Sequence, residues 1–115
     1  MRTLMAGLGL LLAGGSAFAH PELVEATPRD GSIVASSPSE VRLTFTERIE
    51  PRLSGAEITD VSGKRANAAR LRVEGAQAIV ALREPLPPGR YRVNWHAVGA
   101  DAHRVQGTVT FEVKP

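Results

Sequence analysis

Leu86-Pro87-Pro88-Gly89-Arg90-Tyr91-Arg92-Val93-Asn94-Trp95 is the stretch that decides how the chain folds. Pro85, Pro87, Pro88 and Gly89 make a tight corner, because proline cannot continue a regular ladder and glycine accepts the backbone angles a corner needs. Beyond it Tyr91, Val93 and Trp95 alternate with Arg90, Arg92 and Asn94. That period of two places the three large side chains on one face of a half-buried strand. The next segment repeats the pattern, with Val105, Val109, Phe111 and Val113 facing one way.

Working back toward the start, short apolar runs recur between turn residues. Ala78-Ile79-Val80-Ala81-Leu82 follows Gly75, and Leu71 with Val73 marks a strand before it. Ala56 to Val61 forms another, closed by Ser62-Gly63-Lys64, while Ala66 to Ala69 is compatible with a single helical turn. Glu47 to Ser54, broken by Pro51, reads as a loop. Val41-Arg42-Leu43-Thr44-Phe45-Thr46 alternates cleanly with Val41, Leu43 and Phe45 inward, and Leu23 to Ala26 is stopped by Pro28 and the Arg29-Asp30-Gly31 turn. About seven strands at this spacing, with no amphipathic helix, predict an antiparallel β-sandwich. A tyrosine entering a late strand behind a Pro/Gly corner resembles the tyrosine corner of immunoglobulin-like sandwiches, in which the hydroxyl ties the corner by a hydrogen bond.

Residues 1–19 have the pattern of a cleaved export signal. Arg2 supplies the positive start, Leu4 to Ala13 the apolar centre, and Ala17-Phe18-Ala19 the small-x-small cut site. The expected domains are therefore a signal peptide at 1–19 and one domain at 20–115, located in the periplasm of a cell with two membranes. Its 96 residues suffice for a single core of modest stability. There is no cysteine, and both methionines, Met1 and Met5, leave with the leader. A metal site in the remainder must use nitrogen and oxygen donors, which disfavours Cu(I). The mature domain has 13 basic and 12 acidic side chains, interspersed rather than clustered, so nucleic acid is not an expected partner.

Cleavage before His20-Pro21 frees an α-amine on a residue that also carries an imidazole, and the two can close one chelate ring on a metal. Asp101 and His103 stand two apart just before the last strand. In extended backbone i and i+2 project to the same side, so carboxylate and imidazole can reach one point. First and last strands of a sandwich can lie close together, which would add His20 to this pair. An amine, two imidazoles and a carboxylate suit the tetragonal preference of Cu(II), which heads the divalent affinity order, with tetrahedral Zn(II) the next candidate. His96 has opposite parity to the core face and is expected to face solvent. Trp95 is expected in the core, close enough to the site for its emission to report metal.

His20-Pro21-Glu22-Leu23-Val24, Thr27-Pro28-Arg29-Asp30-Gly31-Ser32 and Leu43-Thr44-Phe45-Thr46-Glu47 resemble motifs of the CopC family of periplasmic copper-binding proteins. So do Gly89 to Trp95 and the closing stretch from Asp101 through Val113, and the similarity spans the mature domain. The resemblance implies a Greek-key β-sandwich holding one Cu(II) ion through the His20 amine and imidazole, Asp101 and His103. It also places Glu47 in the surroundings of the copper, where Trp95 is expected as well. Family members that hold Cu(I) carry a methionine-rich central loop, which residues 60–74 here lack. The expected function is a monomeric, non-enzymatic copper buffer or carrier in resistance and homeostasis, delivering to a CopD-type inner-membrane transport protein. The alternatives are a metal-free immunoglobulin-like interaction module and an oxygen-activating enzyme built on a histidine brace, as in lytic polysaccharide monooxygenases.

Overall fold

A computed structural model describes residues 20–115; the expected signal peptide lies outside the described residues. Eight strands run in chain order: β1 (Leu23–Thr27), β2 (Ser32–Val34), β3 (Glu40–Phe45), β4 (Gly55–Asp60), β5 (Arg72–Glu74), β6 (Gln77–Ala81), β7 (Gly89–Val98) and β8 (Arg104–Val113). They form two four-stranded sheets, ordered β1-β3-β6-β5 and β2-β8-β7-β4. The all-β sandwich expected from the strand spacing is therefore present, with one strand more than the seven or so anticipated. The extra strand is β2, whose three residues include an Ile33 that is exposed, so no alternation marks it. It pairs parallel to β8, the single parallel pairing among the described residues, whose other ladders are antiparallel. Residues 66–69 form no helix; Ala68 within them bridges to Leu82, and the preceding Arg65 bridges to Thr59. Backbone bonds to sheet partners outweigh the weak helical preference of so short a run.

The alternation read from the sequence builds the core. Val41, Leu43 and Phe45 on one sheet face Tyr91, Val93, Trp95, Val109, Phe111 and Val113 on the other, all nearly or completely buried. Trp95 meets Phe45 edge to face at a centroid distance of 5.2 Å, and Tyr91 stacks on Phe111 at 5.7 Å. Position 107 breaks the apolar series of β8 for a packing reason. Gly107 pairs with Trp95 in register, and a Cβ there would stand 2.7 Å from Trp95 Cζ2. The indole occupies the volume that a side chain at 107 would need. The Tyr91 hydroxyl donates to the Pro87 carbonyl, closing the corner as the Pro/Gly run before it predicts.

Candidate metal centre

Two segments from opposite ends of the sequence meet at one end of the sandwich. The first is His20-Pro21-Glu22. Pro21 is fully buried, which pins the chain start, and a residue preceding proline is driven to extended backbone. Glu22 and Thr46 then bind each other twice: the Glu22 N–H donates to Thr46 Oγ1 at 3.0 Å, and the Thr46 N–H donates to the Glu22 carbonyl at 2.8 Å. His20 is thereby held beside the end of β3, in the sheet that contains β1.

The second segment is the hairpin loop joining β7 to β8 in the other sheet. Val98 pairs with Arg104, leaving residues 99–103 to turn the chain. The Ala102 N–H donates to the Gly99 carbonyl at 3.0 Å, and Ala102 adopts a left-handed backbone with φ of 68°. Asp101 Oδ1 accepts from the His103 backbone N–H at 3.1 Å, and Asp101 Oδ2 lies 2.8 Å from His103 Nδ1. Asp101 and His103 thus converge, but not through extended backbone as their spacing alone suggests. The local reversal at Ala102 and the Asp101 side-chain bond bring them together.

The site bridges the two sheets. His20 Nδ1 stands 3.8 Å from Asp101 Oδ2, and the rings of His20 and His103 are 4.7 Å apart. One donor atom from each of His20, Asp101 and His103 can be chosen so that all lie within 4.8 Å of one another. Both imidazoles are open to solvent, with side-chain exposures of 56% and 67%. Partial desolvation pushes the Asp101 carboxyl up, but the His103 backbone and ring bonds and the two imidazoles outweigh it, holding Asp101 below the ordinary carboxylate range. The carboxylate therefore stays ionised and available as an oxygen donor.

The remaining candidate residues are not among the three converging donors. Glu47 is partly buried just beyond β3 and does not belong to the three-residue group. Trp95 is a core residue, and its indole Nε1 is buried with no hydrogen-bond partner among the described residues. His96 departs from the expectation that it faces solvent. Its ring folds over Gly55, the residue paired with it on β4, where a Cβ would come within 2.8 Å of His96 Cε1. Desolvation and the nearby Arg104 charge lower its pKa, against a bond to the Leu53 backbone. Parity put His96 on the outer face correctly, but a glycine across the ladder let the ring lie down on the sheet. The residues missed in the sequence were those that aim the ligands: Pro21, Thr46 and Ala102. An alanine in left-handed backbone carries no compositional mark, unlike a glycine or asparagine.

Comparison with known proteins shows what the chain resembles in sequence and fold. The sequence model of the CopC domain matches residues 23–114. Copper resistance protein C of Xanthomonas campestris pv. juglandis is 41% identical over 115 residues, covering 90% of this chain and 87% of that protein. The crystal structure of PcoC, a methionine-rich copper resistance protein from Escherichia coli, superposes with a TM-score of 0.76 at 37% identity, covering 84% of this chain and all of that one. The crystal structure of CopC from Methylosinus trichosporium OB3b gives a TM-score of 0.77 at 31% identity, covering 84% of this chain and 95% of that one.

Proposed function

This chain belongs to the CopC family of copper-binding resistance proteins, which are not enzymes, and from that premise we propose that it is a periplasmic Cu(II) buffer or carrier. The observation that carries the metal assignment is the convergence of His20, Asp101 and His103 from the two ends of the chain. In the proposed mature form, cut after Ala19, the His20 amine and imidazole bind one Cu(II) ion per chain, and Asp101 and His103 complete the set. The donors are nitrogen and oxygen only, and together they suit a tetragonal ion. The described residues contain no methionine, in contrast to the methionine-rich PcoC, which supports a single Cu(II) site without a second one for Cu(I).

The geometry favours holding and handing over. Exposed imidazoles leave the ion reachable by ligands of a second protein, so copper can pass by ligand exchange without unfolding the sandwich. We assign the receiving role to a CopD-type membrane copper transport protein. Glu47 and Trp95 act around the site rather than on the ion. An α-amine with a free pKa of about 7.7–8.0 must lose its proton to bind, so affinity falls as pH drops.

The test is Cu(II) affinity by chelator competition on two purified forms, one starting at His20 and one carrying a single extra residue before it. Loss of several orders of magnitude on extension is the expected result. Equal, tight binding by both forms would place the site elsewhere, and absence of binding by either would leave the interaction-module alternative.

A further inference from the structure

Building on the reading that the His20 amine and ring bind Cu(II), we propose that Pro21 is the specificity-determining residue of the site. By withholding a backbone N–H beside His20, it denies Cu(II) the peptide nitrogens of the chain start and reserves the ion for the folded cluster.

Cu(II) anchored on a terminal amine has a competing way to bind. It displaces the proton of the next backbone amide, a Cu–N bond forms in a five-membered chelate ring, and the proton passes to the buffer. Further amides can add in the same way. Such binding needs only a short peptide, so it would persist in an unfolded chain. Here the first nitrogen after His20 belongs to Pro21, which has no proton to release and whose lone pair is committed to the amide. The second, the Glu22 N–H, is already donated to Thr46 Oγ1 at 3.0 Å. The fully buried Pro21 ring also keeps this start of the chain from swinging away from the hairpin loop that carries Asp101 and His103. In the unfolded chain the Thr46 bond is gone, but Pro21 still breaks the run of chelate rings between the amine and the Glu22 nitrogen, so tight binding requires donors that only the fold supplies. Copper retention becomes conditional on the folded state.

The chain beginning at His20 and its Pro21→Ala variant would each be titrated with Cu(II) against a chelator, in buffer and in unfolding urea, with the visible copper band recorded. The unfolded parent chain should lose roughly 10²–10⁴-fold in affinity, as expected when donors held at high effective concentration are set free. Unfolded Pro21→Ala should hold copper markedly more tightly than the unfolded parent, its band displaced to shorter wavelength by an amide nitrogen. The urea comparison does not depend on whether the variant folds. Equal affinity and equal bands for the two unfolded chains would overturn the role of Pro21. Failure of the underlying copper reading gives a different signature: a residue added before His20 would leave the folded affinity unchanged.

Discussion

At the scale of single residues, the site depends on one alanine whose conformation its sequence neighbours do not announce. Ala102 sits at φ 68°, between Asp101 and His103, and its N–H closes the loop onto the Gly99 carbonyl. Left-handed backbone costs a non-glycine residue about 1–2 kcal/mol, more for a β-branched side chain. Ala102→Gly should therefore keep copper affinity and raise stability slightly, while Ala102→Val should lower both. Chelator competition and urea unfolding on the two variants check this; a valine that binds copper like the parent would show that the turn does not aim the ligands. The pair Asp101 and His103 was legible as a candidate because carboxylate and imidazole stand two apart. Its geometry was not, since the same spacing reached convergence through a turn rather than a strand.

At the scale of elements, two glycines accommodate rings lying across the β4-β7-β8 ladder, and they should differ in cost. Gly107→Ala places a Cβ 2.7 Å from Trp95 Cζ2 and 3.0 Å from Cε2, inside a packed core where the indole has nowhere to go. Overpacking of this kind costs about 1–3 kcal/mol. Gly55→Ala meets the tip of the His96 ring at 2.8 Å on the outer face, where the ring can swing toward solvent. Urea unfolding should rank Gly107→Ala as the more damaging, with a displaced Trp95 emission maximum. The reverse order would mean that the indole is free to move. Strands β3, β7 and β8 were readable because their alternation is long enough to identify a face, and β6 because it is a continuous apolar run following Gly75. Strand β2 was not, because three residues with an exposed isoleucine have no period, and its place depends on pairing with β8 far along the chain.

At the scale of the molecule, both sheets contribute to one end, so conditions that act on the sandwich act on the site. His96 links pH to stability. Its pKa in the folded protein lies below the ordinary 6.5, chiefly from desolvation and also from Arg104. The unfolded chain therefore takes up the proton first as pH falls. Stability from the neutral ring is fully present above about pH 6.5 and is lost progressively below it. In metal-free protein, the melting temperature of His96→Gln should fall less steeply than that of the parent below that pH, with the curves parallel above it. Parallel curves throughout would show that the ring titrates as it does in the unfolded chain.

The sequence by itself determined the class of fold, the face of each long strand, the tyrosine corner, and the nitrogen and oxygen character of any metal donors. Those properties follow from local periodicity, from proline and glycine punctuation, and from the absence of cysteine and of methionine beyond Met5, all of which act over a few residues or in the count. Tertiary structure alone decided that residue 20 meets residues 101 and 103, that β2 crosses to the other sheet, and that His96 lies down over Gly55. These depend on contacts between segments distant in the chain, where pairing register and backbone reversal, rather than local pattern, choose the neighbour.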